Sequence, residues 1–230
     1  MRHSPTALML FAAGLGTRMA PLTADCPKPL IPVAGRALID HALAQAPGMD
    51  RIVVNLHYLP DQIEHHFHMR SDILFSAETD TILETGGGLK RALPLLAQNP
   101  VFTMNTDAVW TGPTAADTLR AHWDPARMDA LLLLVPREQA RGHRGDGDFL
   151  MGDGGQLQRG PGLVYTGAQI LCTDGLADFS DQVFSLNLLW NRIAERGRLF
   201  GCVHPGGWCD VGRPESIAIA EAMLAEVGDD

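Results

Sequence analysis

Arg18 and Lys28 follow a glycine-rich turn in the run Gly14-Leu15-Gly16-Thr17-Arg18-Met19-Ala20-Pro21-Leu22-Thr23-Ala24-Asp25-Cys26-Pro27-Lys28-Pro29-Leu30-Ile31-Pro32. Glycines there let backbone N–H groups approach an anion closely, and a guanidinium with an ammonium adds mobile positive charge. That combination suits a polyphosphate. The spacing is not the dinucleotide fingerprint, because Met19 stands where G-x-G-x-x-G needs its third glycine, and no Gly-Lys-Ser/Thr follows to make a P-loop. A second glycine run, Gly86-Gly87-Gly88, follows Leu83-Glu84-Thr85 and opens a helical pattern. Three glycines are costly in a helix unless the backbone must come close to something.

The elements that position these residues alternate. Ala7 to Ala13 is a short, unalternating apolar strand, as in a buried parallel sheet. Helical spacing over Ala37–Gln45 and a strand over Arg51–Leu56 complete a strand-helix-strand unit. The same reading predicts a helix over Pro60–Phe67, a strand over Ile73–Ser76, a helix over Gly87–Leu93 and a strand over Val101–Met104. It continues with a helix over Thr114–His122, strands over Ala130–Val135 and Leu163–Leu171, a helix over Leu186–Arg196, a final strand over Leu199–His204 and a helix over Pro214–Val227. The alternation predicts an α/β fold, Rossmann-like, with a mostly parallel sheet and helices on both faces. Right-handed crossovers then gather Gly14, Asn105 and their neighbours at one sheet edge, where ligands bind in open α/β sheets. Between Arg137 and Gly162 the chain turns Gly-rich and charged, which predicts hairpins or a flap over the pocket, with the flap region running to about residue 170. Residues 1–230 are thus read as a single domain.

A net charge of −9 over 230 residues argues against a nucleic-acid-binding face, so an anion site must be a local cluster of Arg and Lys. Met1 to Thr6 is too short and polar to lead a signal peptide, and the apolar run behind it is far shorter than the ~20 residues of a membrane span, so a cytoplasmic protein is expected. Cys26, Cys172, Cys202 and Cys209 lack metal-binding spacing and read as reduced thiols. The histidines of Glu64-His65-His66-Phe67-His68 read as solvated residues of a surface helix.

The run from Gly14 to Pro32 resembles the signature of the sugar-1-phosphate nucleotidyltransferases, Gly-x-Gly-Thr-Arg-x-x-Pro-Leu-Thr followed by Pro-Lys-Pro. The resemblance implies the nucleotide-diphospho-sugar transferase fold, and no hexapeptide repeat announces an added β-helix. It implies that Arg18 grips the β- and γ-phosphates and the leaving pyrophosphate, and that Lys28 contacts the α-phosphate and the attacking phosphate. Ala13, Gly14, Gly16, Thr17 and Asn105 would cradle the nucleotide. Asn105-Thr106-Asp107 matches the family's acidic strand end, with Thr106 in place of the more usual small residue. Trp208-Cys209-Asp210-Val211-Gly212-Arg213-Pro214-Glu215 resembles its Trp-x-Asp-x-Gly-Thr/Arg-Pro-Glu segment. Asp107 and Asp210 are therefore the implied Mg²⁺ ligands, and one or two carboxylates suffice for that ion.

Glu84 and Gly86 fall where relatives hold the nucleotide base, and Glu84-Thr85-Gly86-Gly87-Gly88 is similar to the N-acetylmuramate-1-phosphate uridylyltransferase branch. Asp148, Thr166, Gly167 and Trp208 match segments that contact the sugar. The implied reaction joins UTP and N-acetylmuramic acid 1-phosphate into UDP-N-acetylmuramic acid and pyrophosphate, a step of cell-wall recycling. At least one of Arg141, His143 and Arg144 is expected to meet the sugar's lactyl carboxylate. Alternatives are GTP or UTP with a heptose, mannose or glucose 1-phosphate, and an idle nucleotide-sugar sensor, which would have no need of Arg18, Lys28, Asp107 and Asp210 together. The partners are then small molecules, without nucleic acid or membrane, acting on a monomer or small homo-oligomer.

Overall fold

The computed structural model describes residues 4–228; Met1 to His3, part of the polar start read above, lie outside it. Seven strands form the central sheet: β1 (Ala7–Phe11), β2 (Arg51–Leu56), β3 (Ile73–Ala77), β4 (Val101–Asn105), β5 (Ala130–Val135), β6 (Val164–Leu171) and β7 (Leu199–Val203). Their order is β7-β5-β6-β4-β1-β2-β3. All pairs are parallel except those of β6, which runs antiparallel to β4 and to β5. The predicted sheet is present, with one reversed strand that periodicity alone does not reveal.

Both faces are covered, which is why β1 reads as unbroken apolar sequence. Its successive side chains point to opposite sides. Leu8 and Leu10 pack with Ile39 and Ala42 of α1 (Leu38–Ala44), Ile63 of α2 (Pro60–His66) and Leu119 of α4 (Ala115–His122). Ala7 and Met9 pack with Leu89, Ala92 and Leu96 of α3 (Glu84–Leu96) and Leu189, Trp190 and Ile193 of α5 (Asn187–Glu195). A third, smaller core joins Met19, Ile31 and Val33 of the signature to Val109, Cys209, Val211 and Ala220, the last on α6 (Glu215–Gly228). The signature loop is thereby nailed to the C-terminal helix.

Two expectations need correction. Leu199–Val203 is not the final strand: Trp208–Asp210 pairs antiparallel with Ala108–Trp110 and parallel with Ala140–Arg141 in a small separate sheet. Strands of two or three residues are too short to show a period. The helix expected from Gly87 begins at Glu84, and its glycines meet protein: Gly86 and Gly87 N–H both donate to the Phe184 carbonyl, at 2.8 and 3.1 Å. A Cβ on Gly87 would lie 2.0 Å from the Gln182 carbonyl oxygen. The Gly-rich stretch does form a hairpin, Phe149–Met151 against Leu157–Arg159. His66, on α2, meets Asp40 at 2.9 Å, both side chains partly exposed. No described helix is long and apolar enough to cross a membrane.

Candidate active site

The site sits at the carboxyl edge of the parallel strands. Phe11 is level with Asn55 on one side and Asn105 on the other, and beyond it the chain must turn. Gly16 has φ +63°, and a Cβ there would come within 2.9 Å of both Lys28 Cβ and Thr23 Cγ2, so glycine is required by conformation and by space. The Thr23 hydroxyl donates to the Gly16 carbonyl at 3.0 Å and closes the turn. Met19 is wholly buried beneath it. The turn opens a cavity of about 310 Å³ lined by Ala13, Gly14, Gly16, Thr17, Arg18, Lys28, Glu84, Asn105 and Asp107, nine of the residues singled out by sequence.

Charge is concentrated there. Lys28 Nζ donates to Asp107 Oδ2 at 2.7 Å, with the two side chains only 11% and 30% exposed. Asp210 issues from the adjoining strand, whose register sets it opposite Ala108, and Val211 N–H donates to the Asp107 carbonyl at 2.8 Å. Burial, and then the negative charge of Asp107, push the Asp210 carboxyl above its usual range, against the opposing pull of Lys28, Arg18 and His143. Gly212 keeps room between them: a Cβ would stand 3.0 Å from Asp210 Oδ2 and 3.3 Å from Arg18 Nη1. Arg18, Lys28, Asp107 and Asp210, distant in sequence, thus form one cluster.

A buried polar relay that sequence reasoning missed supports the turn. Ala12 N–H donates to Asn55 Oδ1 at 2.7 Å, Asn55 Nδ2 to Glu78 Oε1 at 2.7 Å, and Leu83 N–H to Glu78 Oε2 at 2.8 Å. The ends of β1, β2 and β3 are so tied to the start of α3. The available signal was Asn55 near the end of an otherwise apolar strand. Glu84 adopts φ +60°, a left-handed conformation uncommon outside glycine and one that concentrates at binding sites. Gly86, expected at the nucleotide, instead faces Phe184, because the first turn of α3 packs there; Thr85 lines the cavity in its place.

A second cavity, also about 310 Å³, meets the first across Phe11, Thr85 and Asn105. Asp148, Phe149, Arg159, Tyr165, Gln169 and Trp190 form its walls. Asp148 Oδ2 accepts the Tyr165 N–H at 2.8 Å, and Trp190 Nε1 donates to Gln169 Oε1 at 2.8 Å. Gly167, at φ +91°, lies against Asn105, where a Cβ would sit 2.8 Å from Asn105 Cβ. Thr166 and Trp208 line neither cavity. Alternation along β6 turns Thr166 away from the face that Tyr165 occupies; its hydroxyl donates to the Leu133 carbonyl at 2.8 Å, and the buried Trp208 indole donates to the Thr166 carbonyl at 3.1 Å. Both stand behind the cavity walls. Arg141 and Arg144 are bound to Glu226 and Glu215 of α6, at 2.8 and 2.9 Å, and neither they nor His143 line the second cavity. Arg159 is the cation that does.

Comparison with known proteins agrees with this geometry. Residues 8–165 match the model of the MobA-like NTP transferase domain. The N-acetylmuramate alpha-1-phosphate uridylyltransferase of Caulobacter vibrioides is 44% identical, over 98% of this chain and 100% of that protein. Its counterpart from Neisseria meningitidis is 34% identical over 94% of this chain and 96% of that protein. Among solved structures, UDP-glucose pyrophosphorylase complexed with UDP-glucose superposes with a TM-score of 0.77 at 16% identity, covering 97% of this chain and 99% of that one. HddC from Yersinia pseudotuberculosis complexed with GMP-PN gives 0.75 at 20% identity, covering 95% and 99%. At such identities these two speak for the fold.

Proposed function

The chain belongs to the MobA-like NTP transferase family, and from that premise we propose that it joins UTP to N-acetylmuramic acid 1-phosphate, giving UDP-N-acetylmuramic acid and pyrophosphate. The observation that carries the reading is the pair of contiguous cavities, the first with the charged cluster and the second with an aromatic wall, joined across Phe11, Thr85 and Asn105. One accepts a nucleoside triphosphate and the other a sugar. An oxygen of the sugar phosphate attacks the α-phosphorus in line, the new P–O bond forms as the α–β bridge breaks, and pyrophosphate departs with the electron pair.

The chemistry asks for positioning and charge neutralisation more than for proton transfer. Arg18 holds the β- and γ-phosphates and stabilises the leaving group. Lys28, poised beside Asp107, reaches the α-phosphate and the incoming phosphate. The backbone of Gly14, Gly16 and Thr17 offers N–H donors to the triphosphate. Asp107 and Asp210 are offered as hard oxygen donors; burial first, and the nearby negative charge of Asp107 second, raise the Asp210 carboxyl, as expected of two carboxylates sharing a partly desolvated site. Two carboxylates suit Mg²⁺, which takes one or two of them and leaves its other positions to phosphate and water. Bound there, Mg²⁺ would neutralise charge shared by the two phosphates. Dependence on UTP supports a cytoplasmic location.

Pyrophosphate release across UTP and GTP, each with N-acetylmuramic acid, N-acetylglucosamine and mannose 1-phosphates, tests the reading. UTP with the muramic acid derivative should be the preferred pair, and EDTA should abolish the activity until Mg²⁺ is restored. A preference for GTP, or for a sugar without the lactyl group, would overturn the substrate assignment. No pyrophosphate from any pair, nor from glucose and heptose 1-phosphates added to the panel, would leave a nucleotide-sugar sensor.

A further inference from the structure

We propose that Arg159 reads the carboxylate of the acceptor's lactyl ether and so selects an acidic sugar 1-phosphate over neutral-ring analogues; the assignment rests on the reaction proposed above. It begins with strand register. Arg159 stands directly opposite Phe149 in the antiparallel hairpin, and opposed residues share a face. Its guanidinium therefore lies over the Phe149 ring, 4.6 Å from the centroid, and 5.2 Å from that of Trp190. Nη2 donates to Asn187 Oδ1 at 2.6 Å. A guanidinium carries five N–H donors, so most of the fork is left for a ligand, its plane fixed by the rings.

The distribution of charge says which ligand. Arg18 and Lys28 line the first cavity and not the second, whereas Arg159 lines the second and not the first. Asp148 is the only carboxylate on the second cavity's wall among the described residues, and one of its oxygens already accepts the Tyr165 N–H. Arg159 remains exposed to solvent; packing against the two rings lowers its pKa, with Asp148 opposing. A substrate with anions at both ends matches this arrangement: its phosphate near Lys28, its carboxylate on Arg159. A sugar phosphate with one anion leaves Arg159 unanswered.

The experiment measures initial rates of pyrophosphate release at saturating UTP, with N-acetylmuramic acid 1-phosphate and with N-acetylglucosamine 1-phosphate. In Arg159→Gln, KM for the muramic acid derivative should rise about 10- to 100-fold, the range for loss of a charge-assisted hydrogen bond, while KM for the glucosamine derivative changes less than about threefold. Asn187→Asp supplies a second test that keeps the arginine: a carboxylate placed on Nη2 competes with the ligand and should lower the muramate-to-glucosamine preference in the same direction. A role confined to stacking on Phe149 and Trp190 predicts equal losses for both sugars in Arg159→Gln and no change of preference in Asn187→Asp, and those results would overturn the assignment alone. An unmodified enzyme that releases pyrophosphate with neither acceptor would overturn the reaction itself.

Discussion

Replacing Lys28 by Met keeps the aliphatic stem and removes the ammonium, and it should separate two roles of that charge. In the substrate-free protein Lys28 neutralises Asp107 at 2.7 Å in a partly buried setting, beside an Asp210 that is already crowded by negative charge. Breaking a fully buried pair costs about 3–5 kcal/mol and a surface pair about 0–1, so an intermediate loss of about 1–2 kcal/mol is expected. In a chain of this length about 1 kcal/mol moves Tm by about 2–4 °C, so the melting temperature should fall by about 2–8 °C. Turnover should fall further, by about 10²–10³-fold, as for other preorganised donors at a developing charge. The double variant Lys28→Met with Asp107→Asn removes the stranded carboxylate and should recover most of the lost Tm while remaining inactive. Differential scanning calorimetry and a pyrophosphate-release assay read the two effects. A folded Lys28→Met enzyme with kcat within about fivefold of the parent would refute the catalytic role, and a double variant as unstable as the single one would refute the electrostatic account.

Gly87→Ala should lower stability by about 3 kcal/mol, because its Cβ meets the Gln182 carbonyl at 2.0 Å and backbone must move; an unchanged urea midpoint would show that this contact relaxes freely. His204 is fully buried with a ring nitrogen 3.0 Å from the Thr111 carbonyl, and burial lowers its pKa below 6.5. The unfolded chain then takes up a proton that the folded one resists, so its contribution to stability is present above pH ~6.5 and is lost as pH falls toward the lower folded value. Urea unfolding between pH 7.5 and 5.5 should show a smaller loss for His204→Gln, and identical slopes would count against the assignment.

Much of the fold and of the site is legible in the sequence. The bounds Arg51–Leu56 and Ala130–Val135 are those of the observed strands, because β2 and β5 are buried on both faces and their apolar runs end abruptly. Arg18 and Lys28 could be grouped because they share one signature run after the first strand, and Asp107 because it lies just beyond the end of the strand paired beside it. Gly86 shows where that reasoning stops: the demand for a small residue was real, but its cause was a neighbouring loop at Phe184, remote in sequence. Thr166 and Tyr165 differ by one step along β6, and only the sheet's facing decides which enters the cavity. Arg159 escaped notice because its value lies in the residue across the hairpin, and a pairing register of three residues leaves no periodic trace.

The reversal of β6 has an evolutionary side. β5 leaves the sheet at Val135 and β6 re-enters it at Val164, directly paired with Val135, so the intervening excursion departs and returns at one point on the ligand edge. Its hairpin carries Phe149 and Arg159, with Asp148 just before it, while the charged cluster of the first cavity sits on other segments of the chain. The base of that excursion, Ala140–Arg141, is paired with the strand that carries Asp210, so only its outer hairpin can vary without touching the charged cluster. Variation confined to the hairpin reshapes one wall of the second cavity while Gln169 and Trp190 hold the other and the first cavity stays as it is, so a change of ligand there can come from a single loop.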